Sequence, residues 1–234
     1  MLRAIVAEQM KLKGNRLLFL CSAIALTLPA ILVVNVEADA IGWVYRLQFL
    51  CQFFLYPILS SFVITFLIQK EYADQTIINS LTAPVARMTF LGAKLAVWLI
   101  WYLLITFGFW VIVSVRITLV FDVETLLESW GTITAMILKT GILYFCAMSP
   151  IAWIAVMQRK MFYLSLLAAF LMSSAGFAGL LTHGMMGSIV PWFAVMLLNM
   201  PNGDVVASVA YASIGTCSAV GFGLAACSFQ MQEL

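Results

Sequence analysis

The chain has 234 residues, of which 64% are hydrophobic and only 9% are charged, and its formal net charge is +2. A soluble globular domain carries about 25% charged residues, so this composition excludes a soluble domain and indicates an integral membrane protein. The small net charge comes from scattered basic residues, which predicts no nucleic-acid partner. The five cysteines lie inside apolar stretches without paired spacing, so we expect buried apolar residues rather than metal or redox groups.

Long uncharged stretches predict the membrane spans. A helix needs about 20 apolar residues to cross the hydrocarbon core of a bilayer, and the gaps between successive charged residues repeatedly reach that length. We therefore predict an all-α membrane protein that forms one membrane domain over residues 1–234 with six spans. The predicted spans are about 17–36, 47–68, 94–115, 132–157, 161–181 and 205–229.

Basic residues predict the orientation, because cytoplasmic loops retain Lys and Arg. Most of the 12 basic residues lie in three places: before the first span, between spans two and three, and between spans four and five. With six spans, both termini are expected in the cytoplasm. No cleavable signal peptide is expected, because the charged start is followed by an apolar run longer than a signal sequence uses.

The first residues, 2–13, predict an amphipathic helix that lies in the membrane interface. The apolar residues largely share one helical face: Leu2, Ile5, Val6, Met10 and Leu12. Arg3, Glu8 and Lys11 are predicted on the opposite, polar face. We expect an elbow helix that leads into the first span.

A polar insert from Glu71 to Lys94 separates spans two and three. Asp74 is a suitable N-cap, and Pro84 is expected to end the helix that follows. Three apolar residues form a narrow stripe along this helix: Ile77, Ile78 and Leu81. Such a helix can lie across the membrane surface and transmit a rigid-body shift of a partner into both neighbouring spans. The alternative is a solvated loop that only fixes the topology, which would not require the apolar stripe.

Two features interrupt the second half of the chain. Lys139 and Pro150 are expected to break span four. A charge near the middle of a span costs roughly 3 kcal/mol, so Lys139 should either snorkel to the outer interface or face the translocation path or a dimer seam. Residues 183–203 are apolar but contain several Gly and Pro residues, which predicts an outer re-entrant or interfacial pair of short helices. The alternative is a full crossing, which would give seven spans and place the C-terminus outside.

The chain lacks the residues of several catalytic classes. No Gly-x-x-x-x-Gly-Lys-[Ser/Thr] phosphate loop is present, which excludes ATP hydrolysis by that route. The single histidine, His183, cannot supply a zinc-binding pair. We expect no enzymatic activity and no cofactor in this chain.

The insert resembles the cytoplasmic loop of type-2 ABC export permeases. The matching residues, in order, are Glu71, Thr76, Leu81, Pro84, Arg87, Phe90, Leu91, Gly92 and Lys94. Gln75 departs from the family pattern, which often has Gly there. The amphipathic start, the six spans and the broken outer segment also resemble this family. The short length and minimal outer loops resemble the compact permeases of lantibiotic immunity and bacitracin resistance.

The resemblance implies that the insert is a coupling helix that docks in a groove of a separate nucleotide-binding subunit. The implied ATPase-coupling residues are Glu71, Asp74, Thr76, Ile77, Ile78, Leu81, Pro84 and Arg87. Two ABC ATPase subunits would bind ATP and Mg, and a second copy or a sister permease would complete the transporter in the inner membrane of a prokaryote.

The expected substrate is hydrophobic or amphipathic, such as an antimicrobial peptide or a lipid-linked compound expelled for self-protection or resistance. One alternative is a secondary transporter or channel, which would need coupling-ion groups within its spans. Apart from Lys139 such groups are nearly absent. A second alternative is a non-transporting membrane adaptor that uses the insert only for docking.

Overall fold

The computed structural model describes residues 2–12, 15–32, 40–73, 87–120, 123–158, 163–178, 184–200, 203 and 205–231. Within these residues every regular element is a helix, which confirms the all-α part of the predicted fold class. Four helical stretches are long and apolar enough to cross a membrane: Ile41–Lys70, Met88–Val120, Ser129–Met157 and Ala207–Gln230. Two shorter apolar helices accompany them: Arg16–Leu32 and Tyr163–Gly176.

The elements follow one another in a simple order. They are α1 (Leu2–Leu12), α2 (Arg16–Leu32), α3 (Ala40–Gln48), a π-helical segment (Phe49–Leu55), α4 (Tyr56–Ala73), α5 (Arg87–Val120), α6 (Val123–Ala147), α7 (Ser149–Met157), α8 (Tyr163–Ala178), α9 (Gly184–Ile189), α10 (Pro191–Leu197) and α11 (Ala207–Gln230). Each of the six predicted spans overlaps at least one of these helices, and four of them overlap a stretch long enough to cross a membrane.

Helix α5 begins earlier than the third span was predicted to begin. It starts at Arg87 rather than at Lys94, so the last part of the predicted polar insert is the first two turns of this helix. Residues 87–93 contain no proline, and Leu91 is buried in the core, which extends the helix toward the insert.

Lys139 does not interrupt its helix, so the predicted break at this residue is wrong. Helix α6 runs through Lys139 without a gap and ends at Ala147. The chain bends at Met148, and Pro150 lies in the first turn of α7. A proline fits there because the first N–H groups of a helix have no helical acceptor.

The segment before α11 folds back on itself. Helices α9 and α10 have six and seven residues, and a seven-residue helix is only about 10 Å long. A backbone bridge joins Gly184 to Val205, and the N–H of Val206 donates to Ser188 Oγ at 2.9 Å. Gly184 has a φ of 64°, in the left-handed region that favours glycine. The two ends of the segment therefore lie together.

Two tyrosine hydroxyls donate to backbone carbonyl groups of other elements, and one of these carbonyls has lost its helical donor to a proline. Pro29 has no N–H, so the carbonyl of Ala25, four residues earlier, loses its usual partner. Tyr56 donates to that carbonyl at 3.0 Å. A second tyrosine, Tyr144, donates to the carbonyl of Phe53 in the π-helical segment at 3.0 Å. These bonds join α4 to α2 and α6 to the π-helical segment.

Tryptophan side chains join α5 to its neighbours. The fully buried Trp98 donates to the backbone oxygen and the hydroxyl of Ser60 at 3.0 and 2.7 Å, which links α5 to α4. Trp101 donates to Ser22 Oγ at 2.9 Å, which links α5 to α2. Inside an apolar bundle, such bonds fix which faces of the helices meet.

Helices α7 and α11 approach closely at Gly221. A Cβ at this residue would lie 2.6 Å from the carbonyl carbon of Ser149 and 2.7 Å from the nitrogen of Pro150. The hydroxyl of Ser149 donates to the carbonyl of Cys217 at 3.0 Å. Small residues allow this approach of two membrane helices, and only glycine fits at the contact.

The pairing of prolines with tyrosine hydroxyls predicts a rescue. Tyr56→Phe leaves the buried Ala25 carbonyl unsatisfied and is expected to lower the free energy of unfolding by about 1–3 kcal/mol. Pro29→Ala restores the backbone N–H, so Tyr56→Phe is expected to have a much smaller effect in that background. Thermal unfolding in detergent measures both, with Tyr211→Phe on the exposed surface as the control. An equal loss in both backgrounds would contradict this account.

Candidate functional site

The predicted coupling residues lie at and beyond the ends of two described helices. Glu71 is near the end of α4 and Arg87 begins α5, but only their backbone is described. The other predicted coupling residues lie outside the described residues: Asp74, Thr76, Ile77, Ile78, Leu81 and Pro84. The structure thus describes the two helices that flank the insert in the sequence.

A buried ion pair lies where these two helices meet the insert. The ammonium of Lys94 on α5 lies 2.9 Å from Oε2 of Glu8 on α1. The exposed fractions of the two side chains are 3% and 6%. Lys94 also donates to the carbonyl of Leu67 on α4 at 2.8 Å, and its Nζ lies 4.7 Å from the centre of the Phe90 ring.

This arrangement satisfies the requirements for burying charge. An isolated charge in an apolar interior is strongly unfavourable, whereas a pair with further hydrogen bonds is tolerated. The ammonium of Lys94 contacts a carboxylate, a carbonyl and an aromatic face, which together replace much of its hydration. Three helices, α1, α4 and α5, are therefore tied together at the foot of the insert.

The sequence did not predict the position of Glu8. It was assigned to the polar face of α1, opposite the apolar residues, but the structure buries it against Lys94. Val6 and Met10 are instead 50% and 65% exposed, as suits residues that face lipid. The reason is the partner: Lys94 is 86 residues away in the chain, so a local helical pattern carries no sign of the pair.

Lys139 lies against the end of a short helix. It is half-buried, and its ammonium donates to the carbonyl of Leu198 at 3.1 Å. The carbonyl groups at a helix C-terminus lack helical donors and carry partial negative charge. Lys139 thus stabilises the C-terminal end of α10, a contact that neither of its two sequence-based interpretations included.

A buried amide cluster lies beside Lys139 and was missed in the sequence. Gln48 Nε2 donates to Gln52 Oε1 at 2.8 Å and to Thr140 Oγ1 at 3.3 Å. Gln52 Nε2 donates to the carbonyl of Ile137 at 3.3 Å. All three polar side chains are fully buried, and Gln48 Oε1 has no hydrogen-bond partner among the described residues. The spacing of two glutamines four residues apart at the start of a span was the available signal.

The cluster coincides with the π-helical segment Phe49–Leu55. Single turns of π-helix inside longer helices occur frequently at functional sites. Here the π-helical segment ends two residues before Pro57. Polar groups, an irregular backbone and Lys139 therefore meet between α3, α6 and α10.

Together these features define a multi-pass helical membrane protein. The chain belongs to the ABC-2 family of transporter proteins, because the model of the family described as "ABC-2 family transporter protein" matches residues 4–176. The matched part runs from α1 into α8 and includes both Glu8 and Lys94. The insert between α4 and α5 also lies within it.

One relative carries a functional name. The "Bacitracin transport permease protein BCRB" of Bacillus licheniformis is 30% identical over 113 residues. The match covers 45% of this chain and 49% of the relative. It thus spans about half of the relative's length.

The ion pair predicts a compensation between two substitutions. Lys94→Met alone leaves a buried carboxylate unpaired and is expected to destabilise the protein by about 3–5 kcal/mol. Adding Glu8→Leu removes that charge, so the double variant should regain most of the lost stability, because apolar replacements of a buried pair are often nearly neutral. Thermal unfolding in detergent measures each variant, with Lys70→Met as the control for loss of one positive charge. If the losses of stability in the single variants Lys94→Met and Glu8→Leu simply add in the double variant, the two residues act independently.

Proposed function

We propose that this chain is the permease subunit of an ATP-driven exporter. The observation that carries this proposal is the Glu8–Lys94–Leu67 junction, in a chain of the ABC-2 family, at the foot of the polar insert. A force on the insert would act on the end of α4 and the start of α5, and the junction would pass it to α1. The insert is the proposed coupling helix.

ATP hydrolysis is assigned to partner subunits. The chain has no phosphate loop, and membership of a transporter family supports a division of labour between permease and ATPase. We propose two ATPase subunits, which bind ATP and Mg, and a second permease copy or a sister permease. Purification from native membranes and identification of a co-eluting ATPase test this assembly and separate it from a secondary transporter.

The proposed substrate is an amphipathic antimicrobial peptide or a lipid-linked compound that is expelled for self-protection or resistance. The name of the relative, a bacitracin transport permease, supports this class. Lys139 and the neighbouring amide cluster are the proposed polar point of the translocation path or of the seam between permeases. Growth of cells that express the intact transporter, at graded peptide concentrations, tests the substrate and the direction of transport.

The coupling helix predicts the effect of charge in its apolar stripe. Ile78→Asp or Leu81→Asp would place a charge on the surface that docks on the ATPase, and each is expected to abolish co-purification of the ATPase without loss of expression. Asn79→Asp adds the same charge on the opposite side of the predicted helix and should have little effect. Co-purification from detergent-solubilised membranes measures the association. Wild-type recovery of the ATPase with both stripe variants would argue for a solvated loop.

Six spans predict the location of the C-terminus. The short helices α9 and α10, and the bridge between Gly184 and Val205, support a re-entrant segment rather than a seventh span. A reporter fused after Leu234 is therefore expected in the cytoplasm, on the same side as a reporter before Met1. Enzymatic reporters that are active on only one side of the membrane measure both positions. An external C-terminal reporter together with a cytoplasmic N-terminal one would require an odd number of spans.

A further inference from the structure

Helices α1, α2, α4 and α5 enclose a groove of about 700 Å³. This volume lies within the range of small-molecule sites, about 300–1,000 Å³. Buried apolar residues line its inner part: Leu18, Val63 and Val97. Phe19 and Leu104 line it with exposed fractions of 77% and 63%. An apolar site with such exposed walls in a membrane protein is open to lipid.

The polarity of the groove changes along its length. Its polar lining includes Gln9, Asn15 and Arg16, where α1 meets α2. Leu104 on α5 lies ten residues beyond Lys94, which corresponds to about 15 Å along the helix. The groove thus begins beside a positive charge, at the membrane face where the Glu8–Lys94 pair lies, and continues into the apolar part of the bundle.

We propose that this groove binds an acyl chain of an anionic membrane phospholipid, whose phosphate lies against Arg16. In an anionic phospholipid, a negative headgroup is followed by an apolar chain. This order matches the lining of the groove, where a positive end is followed by apolar residues. The exposed guanidinium of Arg16 can bind phosphate oxygens through two parallel hydrogen bonds. The lipid would cover exposed apolar side chains such as Phe19 and hold α1 against α2 and α5. It is a resident lipid, distinct from any exported substrate.

Native mass spectrometry of the purified full-length protein tests the site. The protein is titrated with phosphatidylglycerol or with phosphatidylcholine of the same acyl chains. The wild type is expected to retain one phosphatidylglycerol more tightly than phosphatidylcholine. Arg16→Gln should lower the affinity for phosphatidylglycerol about fivefold, since one basic residue near an anionic lipid contributes about that factor, and should leave phosphatidylcholine unchanged.

A second variant tests the apolar part independently of charge. Ile100→Trp adds bulk to the lining of the groove and should weaken both lipids. Lys70→Gln removes a positive charge from the end of α4, on the same membrane face but outside the groove, and should leave both affinities unchanged. Melting temperatures verify that the variants are folded.

Several results would overturn the site. Equal wild-type affinities for the two lipids would remove the role of charge. Wild-type binding of phosphatidylglycerol by both Arg16→Gln and Ile100→Trp would place the lipid elsewhere. A disulfide between two copies through Phe19→Cys, with the native cysteines replaced by serine, would show that a second copy covers the groove.

Discussion

Backbone carbonyl groups inside a bilayer must find hydrogen-bond donors within the protein, because no water is available there. This constraint explains where many of the polar side chains of this chain lie. Tyr56 donates to a carbonyl that a proline leaves open, Tyr144 donates to a carbonyl of the π-helical segment, and Lys139 donates to the end of a short helix. Each of these bonds joins two elements far apart in the sequence. The polar side chains thus fix the arrangement of helices that apolar contact alone would allow to slide.

The same constraint bears on how an intramembrane polar residue is interpreted. A lysine or glutamine within a span is a functional-site hypothesis by default, yet the ammonium of Lys139 has a structural task against Leu198. The amide cluster differs, because Gln48 is fully buried and its oxygen has no partner among the described residues. An unsatisfied buried acceptor requires a further explanation. This acceptor lies at the end of α3, next to the π-helical segment. The cluster is therefore a stronger candidate than Lys139 alone for a polar point that another molecule contacts.

The sequence predicted those features that bilayer thickness determines. Four of the six predicted spans overlap described helical stretches that are long and apolar enough to cross a membrane, because about 20 apolar residues are needed whatever the partner helices are. The sequence-based prediction failed where a contact between residues far apart in the chain determines the structure. Glu8 was placed on a polar surface because its partner Lys94 is not visible in the local pattern, and Lys139 was expected to break a helix that in fact continues through it.

The parts of the candidate site also differ in whether the local sequence could predict them. The insert was predicted to be a coupling helix from its capping residue, its apolar stripe and its family resemblance, all of which are local in the chain. The junction beneath it needed coordinates, because it joins residues 8, 67 and 94. The amide cluster was overlooked because two uncharged glutamines hardly lower the hydropathy of a span.

An ion pair suits the foot of a coupling element better than an apolar contact would. Apolar surfaces can slide past each other with little change in free energy, whereas a buried pair is satisfied in only one register, and breaking it costs about 3–5 kcal/mol. A displacement of the insert that costs less free energy than this penalty would leave the pair intact. It would then move α1, α4 and α5 as one body. Because α1 also forms one side of the groove that holds Arg16 at its polar end, such a movement would change the groove against the surrounding lipid. In the proposed exporter, the partner ATPase and the bilayer would therefore act on the same three helices from opposite sides of the Glu8–Lys94 pair.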